Sequence, residues 1–379
     1  MVTSTSSSQS MRERMTEYIT NLQDSIIAKL EMYSPASKFR RESWTREEGG
    51  GGLSCTFPPL DIPPVDDRPI EKAGVNISTI HGILPPAAIK QMSTAHAALK
   101  DIDRSLPFFT TGLSLVLHPR NPRAPGVHAN HRHFEVLDGP LPPRDPTKSG
   151  ETPDPQPKVL AWWFGVVIDM TPFYVNKEDF RDFHTTLKAA CDKWSNFDET
   201  NISVYSQFKK SCDDYLFITH RKEHRGIGGV RFDDMDSDAM RALLVEGPGI
   251  SRETVAHLSS QESLFGLVES LGNSFLSSFE VILERRRDDP LIPSERRWQL
   301  LRRGRSVEFN LVVDRGTKFG LAVPGVMAEN VLMGMPPEAR WEYCSDLGSK
   351  NQGGKEAEMM KILKAPRDWA EWQDDVSAL

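Results

Sequence analysis

Apolar residues recur along this chain with two different periods, and the changes between them mark out its elements. Between Thr16 and Met32 the apolar positions Ile19, Leu22, Ile26 and Leu30 fall three and four apart, which predicts one face of a helix. From Glu71 to His81 alternation takes over, and further strand-like runs follow at Gly112 to His118, His128 to Val136, Trp162 to Asp169, Gly229 to Phe232 and Val307 to Val313. Helical spacing returns around Glu178 to Trp194, Ser206 to His220 and Leu264 to Arg287. The strands follow one another without regular helical crossovers, and the helices are grouped before and after them. This predicts an α+β fold: a single domain on a large, mostly antiparallel sheet flanked by helices on both sides. No internal repeat is present.

Four interruptions refine the organisation. Four consecutive glycines, Gly49 to Gly52, read as a linker or a mobile flap, and a proline-rich stretch runs from Pro58 to Pro69. Between Asp138 and Lys158 seven prolines accompany small and charged residues, which predicts a surface loop, 138–158, inserted between two strands. The cluster Arg225-Gly-Ile-Gly-Gly-Val has neither dinucleotide-binding nor P-loop spacing and reads as a turn leading into a strand. The expected organisation is a flexible segment 1–11, one domain 12–371, and a tail 372–379.

Charge and composition mainly exclude. With 46 basic and 53 acidic residues the net charge is −7, so nothing draws the chain as a whole to nucleic acid or to an anionic membrane. An anionic substrate would need a local arginine cluster. No apolar run reaches the roughly 18–20 residues of a membrane span, and the start MVTSTSSSQS lacks the apolar core of a secretory signal. A cytoplasmic location is expected, with a mitochondrial one as the alternative because the start is rich in serine. Cys55, Cys191, Cys212 and Cys344 are widely spaced and show no CxxC pair, which predicts buried free thiols.

Strand periodicity also sorts the polar residues. In the run from His128 to Val136, His128, Asn130, Arg132 and Phe134 share one face, while His131, His133 and Glu135 share the other. The same arithmetic groups Ser114, Val116 and His118. If these strands are neighbours they build one polar cavity floor; otherwise they form a solvent-facing sheet surface without function. Asp169 ends an apolar run on the face of Trp163, Gly165 and Val167, as an internally paired carboxylate or as a turn residue. His118, His128, His184 and His220 show no compact metal-ligand spacing. His184 reads as a hydrogen-bonded core residue and His220 as the cap of a helix C-terminus. Arg302-Arg303-Gly-Arg305 reads as a solvated basic patch, although guanidinium groups also suit carboxylates.

Taken together, several stretches resemble one family, the aerobic coproporphyrinogen III oxidases, from about residue 12 to Trp369. They include Arg46-Glu-Glu-Gly-Gly-Gly-Gly52, Gly112-Leu-Ser-Leu-Val-Leu-His-Pro119, His220-Arg-Lys-Glu-His-Arg-Gly-Ile-Gly-Gly229, Asp314-Arg-Gly-Thr-Lys-Phe-Gly-Leu321 and Arg340-Trp-Glu-Tyr343. The resemblance implies an oxygen-dependent oxidative decarboxylation: the ring A and B propionates of coproporphyrinogen III become vinyls, giving protoporphyrinogen IX, carbon dioxide and hydrogen peroxide in haem synthesis. It implies O2 as co-substrate, no required cofactor, and a homodimer formed through about residues 306–342, with the apolar run Val307 to Val313 as a contact. A minority reading places a divalent metal at His118, His128, His184 and His220.

Matched residue by residue, the family's catalytic groups fall on His128, Asp169 and Arg132. Substrate contacts fall on Ser114, Asn130, His131, Arg132, Gly325, Val326 and Met327. The implied roles are Asp169 as acceptor for pyrrole N–H donors, His128 as general acid or base, and Arg132 as partner of a propionate or an oxygen-derived anion. Two departures stand out. Val166-Val167 replaces a glycine-rich stretch, and Pro324-Gly-Val-Met327 carries methionine where the family commonly has arginine, so a propionate contact is lost or moved to another cation. The rival functions are a porphyrin-binding carrier or inactive homologue, and a metal-dependent oxygenase of unrelated substrate.

Overall fold

A computed structural model describes residues 9–33, 38–57, 69–141, 156–196, 202–245, 250–290, 292–322, 327–349, 351 and 353–372. Helix α1 (Met11–Met32) starts with a capping box, in which the Glu13 carboxylate accepts from the Ser10 backbone N–H at 2.9 Å. Its buried stripe of Ile19, Leu22, Ile26 and Leu30 is the one the spacing predicts, and buried Met15 extends it by a turn. Each such side chain taken out of water contributes about 1.5–3 kcal/mol.

Seven strands form one sheet in the order β1 (Arg40–Thr45), β2 (Gly50–Phe57), β3 (Ile70–Leu84), β4 (Leu106–Pro119), β5 (Gly126–Leu137), β6 (Val159–Thr171) and β9 (Gly228–Met235). Every neighbouring pair is antiparallel. Between β3 and β4 lies the short helix α2 (Pro86–Met92). After β6 come α3 (Lys177–Ser195), α4 (Tyr205–Tyr215) and a two-stranded ribbon, β7 (Phe217–Ile218) with β8 (Glu223–His224). Beyond β9 the chain is helical: α5 (Ser237–Val245), α6 (Arg252–Leu258), α7 (Gln261–Arg286), α8 (Pro293–Glu308), α9 (Arg315–Ala322), α10 (Ala328–Leu332) and α11 (Gly354–Lys364).

Alternation gives the sheet two different faces. Leu113, Leu115 and Leu117 of β4 join the core formed with α1, α3 and α7. His131, His133 and Glu135 of β5 point the same way: buried Arg12 of α1 donates to Glu135 at 2.8 Å, and His133 bonds Glu135 at 3.0 Å. The opposite face carries Ser114, His128, Asn130 and Arg132 and is roofed by residues of α8, α9 and α10. An α+β domain with helices on both sides of an antiparallel sheet is therefore what the chain forms. The loop expected at 138–158 closes as a pair of bonds, Asp138 N–H to Lys158 O at 3.0 Å and Lys158 N–H to the Asp138 carboxylate at 2.7 Å; residues 142–155 lie outside the described residues.

Five expectations need correction. The four glycines are not a linker: Arg46 to Gly49 form the β1–β2 turn, and Gly50 to Gly52 are paired with β3, Gly51 and Gly52 also with β1. Glycine is needed there because Gly50 has φ +89°, and a Cβ at Gly51 would lie 2.3 Å from the Trp44 carbonyl oxygen. Val307 to Val313 is not a strand. It is the end of α8 followed by a π-helical turn, Phe309–Val313, in which Asp314 N–H reaches back five residues to Phe309 O at 2.9 Å. Short apolar runs do not separate strand from helix by periodicity alone.

His220 caps no helix, because α4 ends at Tyr215; it sits between β7 and β8 and bonds Glu308 at 2.8 Å. Arg302 and Arg303 are no solvated patch either, each being only 2 % exposed, since the helix turns them inward onto carboxylates from β8 and β3. Of the four cysteines, Cys55, Cys191 and Cys212 are buried free thiols as expected, whereas Cys344 is exposed.

Candidate active site

Register across the sheet sets the site. One row runs Val116, His128, Asp169, Gly229; the next runs Ser114, Asn130, Val167, Arg231; a third runs Gly112, Arg132, Gly165. Cross-strand neighbours share a face, so four strands bring these side chains to one surface. Above it is a cavity of about 660 Å³, within the range of roughly 300–1,000 Å³ usual for small-molecule sites. Its floor includes Ser114, His128, Asn130, Arg132 and Arg231. Its roof includes Phe309, Asp314 and Arg315. Thus Ser114, Asn130, His128 and Arg132 do come together, as the strand arithmetic allows.

Asp169 belongs to the same row but is fully buried beneath that surface. Its Oδ2 accepts from His128 Nδ1 at 2.9 Å, and Arg225 Nη2 approaches both carboxylate oxygens at 2.5 and 2.6 Å. Burial alone would raise its pKa, but the Arg225 charge and the His128 bond outweigh burial and hold it below the ordinary carboxylate range. An ionised partner fixes the proton of His128 on Nδ1 and leaves Nε2 as a lone-pair acceptor. The side chain of His128 is 31 % exposed and lines the cavity, so that nitrogen is available to a ligand. The resemblance implies that Asp169 meets pyrrole N–H groups directly; here both its oxygens are engaged by His128 and Arg225, and the carboxylate lies behind them.

Other expected residues scatter. His131 lies on the helix-packed face, where burial and the nearby His128 push its pKa down to about 4. It is on the wrong side of β5 to line the cavity, as its odd position in the alternation requires. Met327 is 52 % exposed, and Gly325 and Val326 lie outside the described residues. The four histidines of the metal reading have separate partners: His118 bonds Gly334 O at 3.1 Å, His128 bonds Asp169, His184 bonds Tyr205 Oη at 2.7 Å, and His220 bonds Glu308. Only His118 and His128 line the cavity. No group of three or more His, Cys, Asp or Glu side chains among the described residues is arranged to hold a metal ion.

Several functional groups escape a residue-by-residue sequence reading. Arg225, in the glycine cluster taken only as a turn, is the cation that keeps Asp169 ionised. Asp314 brings a carboxylate to the cavity wall on the roof side. It accepts from Tyr215 Oη and from Thr317 N–H at 2.6 Å, and these bonds outweigh burial in holding its pKa low. Arg231 and Asp233 of β9 also line the cavity, and Asp233 bonds Arg132 at 2.5 Å. Arg231 falls in the row of Asn130, so strand pairing would have found it; Arg225 and Asp314 come from turns, where no period applies.

Comparison with known proteins decides the family. The model of the coproporphyrinogen III oxidase family matches residues 14–369. The chain belongs to this family. An oxygen-dependent coproporphyrinogen-III oxidase of Drosophila melanogaster is 41 % identical, the match covering 95 % of this chain and 79 % of that protein. The mitochondrial human enzyme of that name is 41 % identical over 95 % of this chain and 67 % of its own length. The Prochlorococcus marinus protein is 38 % identical over 95 % of this chain and 91 % of its own. The match includes all three strands that carry Ser114, His128, Asn130, Arg132 and Asp169.

Buried histidines make the stability of this family member depend on pH in both directions. His118 is pushed to about 3 by burial and by Arg303, His131 to about 4, and His184 well below its ordinary value by burial and Lys209. Unfolded histidines take up protons near pH 6.5, so the unfolded chain binds more of them and stability falls as pH drops below that value. For His96 burial is outweighed by Asp234 and Asp236, and its pKa rises to about 9. Its contribution is present in full below pH 6.5 and is lost as pH rises through 9. The urea midpoint should therefore be highest near pH 6.5 and fall on either side; a flat midpoint from pH 4 to 6.5 would contradict the buried neutral histidines.

Proposed function

We propose that the chain catalyses the oxygen-dependent oxidative decarboxylation of coproporphyrinogen III to protoporphyrinogen IX in haem synthesis. The observation that carries it is the His128–Asp169–Arg225 cluster beneath an arginine-lined cavity, in a chain that matches the family over 14–369. At each reacting propionate the chain R–CH2–CH2–CO2H and one O2 become R–CH=CH2, CO2 and H2O2. The side chain loses two electrons and O2 accepts them.

Each cavity group has a role in this reading. A porphyrinogen is non-planar and presents pyrrole N–H donors. Asp314 accepts from them at the wall, and His128 Nε2 takes a proton, its ring held by Asp169. Loss of that proton makes the pyrrole electron-rich and prepares it for O2. Arg132 carries the charge that pairs with a carboxylate. Asp169 is then a positioning residue that acts through His128.

The reading includes no required metal or organic cofactor, with O2 as the only co-substrate. It also includes a homodimer through 306–342, in which the exposed Leu311, Val312 and Trp341 supply apolar contact without a strand. The location proposed is the cytoplasm. No helix among the described residues is long and apolar enough to cross a membrane, and relatives of the chain include mitochondrial and chloroplastic proteins.

The test is anaerobic mixing of chelator-treated protein with coproporphyrinogen III, then oxygen addition and chromatography of the products. Protoporphyrinogen IX with two CO2 per turnover is expected. Substrate that binds and returns unconverted would replace the oxidase by a carrier.

A further inference from the structure

Coproporphyrinogen III carries four carboxylates, so its cavity must offer cations whose charge is not already spent. The arginines on or beside the sheet differ in this respect. Arg225 is buried and closely paired with Asp169, and Arg303 is buried and paired with Glu71 at 2.7 Å. Met327 supplies no charge. At the β5 and β9 side of the sheet, however, two guanidinium groups share one carboxylate. Arg132 Nη2 lies 2.5 Å from Asp233 Oδ1, and Arg231 Nη2 lies 3.3 Å from Asp233 Oδ2. Among the groups in direct contact, two positive charges against one leave a surplus of +1; Asp234, which also feels both guanidinium groups, faces His96 at 3.9 Å. Arg132, Arg231 and Asp233 all line the cavity.

The cluster is also built to receive something. Arg231 is held from behind independently of Asp233, with its guanidinium 4.2 Å from the Tyr215 ring centroid and Nη1 3.3 Å from Ser211 Oγ. Beneath the cluster β6 has glycine: a Cβ at Gly165 would stand 3.0 Å from Asp233 Oδ1 and 3.4 Å from Arg132 Nη2. The strand thus leaves room for the ion pair on its surface. The pair stays open to the cavity, Arg132 being 42 % and Asp233 35 % exposed.

We propose that Arg132 and Arg231 form a two-arginine clamp for one propionate carboxylate, and that Asp233 occupies the place which that carboxylate takes. Asp233 is then a built-in competitor. It keeps both guanidinium groups aimed at one point, and it weakens substrate binding by holding them. Arg231 is a substrate-binding residue that fixes the ring's orientation, on the β9 side of Asn130. This rests on the oxidase reading for the identity of the ligand.

Two substitutions have opposite expected effects on binding of coproporphyrin III, the aromatic analogue, followed by fluorescence. Arg231→Met raises Kd about 10- to 100-fold, and Arg231→Lys recovers part of the loss. Asp233→Asn, which keeps the shape and one acceptor oxygen, lowers Kd by about 3- to 10-fold. A merely structural cluster would make both substitutions weaken binding. Weaker binding by Asp233→Asn, or a Kd for Arg231→Met within twofold of the unaltered chain, overturns the clamp. If Arg231→Met does not fold, Asp233→Asn decides alone. Failure of the unaltered chain to convert coproporphyrinogen III would instead overturn the oxidase reading, while the two Kd values still judge the clamp.

Discussion

Asp169→Asn lowers kcat by about 10²- to 10⁴-fold, the range over which a positioned general acid or base acts. The carboxylate is fully buried, and two of its contacts depend on its charge: the bond to His128 Nδ1 and the contacts of Arg225 Nη2 with both oxygens. An amide has no charge to hold the His128 proton on Nδ1. If its NH2 faces the ring, Nδ1 must accept, the proton moves to Nε2, and the cavity is offered a donor in place of a base. Arg225 is also left buried without its counter-ion. A purely structural loss would reduce the fraction of folded enzyme without changing the pH profile of what remains. Loss of the base lowers kcat in the folded enzyme itself. Normal turnover by a folded Asp169→Asn enzyme, with unchanged substrate affinity, would remove Asp169 from the chemistry.

Glu71→Gln is the substitution expected to cost most in stability. Glu71 of β3 accepts from Arg303 at 2.7 Å and from Arg296 at 2.7 and 3.0 Å, joining α8 to the sheet. Burial would raise its pKa, but the two arginines hold it low. Without the charge, Arg303 stays buried with Pro119 O, at 3.0 Å, as its remaining acceptor among the described residues. Breaking one side of such a pair costs about 3–5 kcal/mol. Calorimetry should show Tm falling by roughly 4–6 °C. Arg303→Met added to Glu71→Gln should recover part of that loss, because it removes the stranded charge. A drop below about 2 °C for Glu71→Gln would show that the charges are not buried as described.

Strands were more legible in the sequence than anything else that matters here. Period two is strict, so the faces of β4, β5 and β6 follow from counting, and with them the grouping of Ser114, His128, Asn130 and Arg132. The same count places His131 away from the cavity. Legibility fails where tertiary contacts set the answer. Val307 to Val313 alternates like a strand yet continues α8, with only Phe309 buried among its apolar side chains. Arg302 and Arg303 look like surface charge until Glu223 and Glu71 arrive from distant strands. The glycines at 50 to 52 look like slack chain, but the neighbouring strands come too close for any side chain. Arg225 and Asp314 lie on turns, and only the family motifs around them gave any signal.

The central claim is that Asp169 holds His128 with its proton on Nδ1 and its Nε2 lone pair toward the tetrapyrrole. The most direct measurement is the ¹⁵N spectrum of histidine-labelled protein, with the His128 signal assigned through His128→Gln and read at pH 8. The account predicts a protonated Nδ1 and an unprotonated Nε2 in the unaltered chain, and the reverse or a mixture in Asp169→Asn. A His128 ring that carries its proton on Nε2 in the unaltered chain would contradict it.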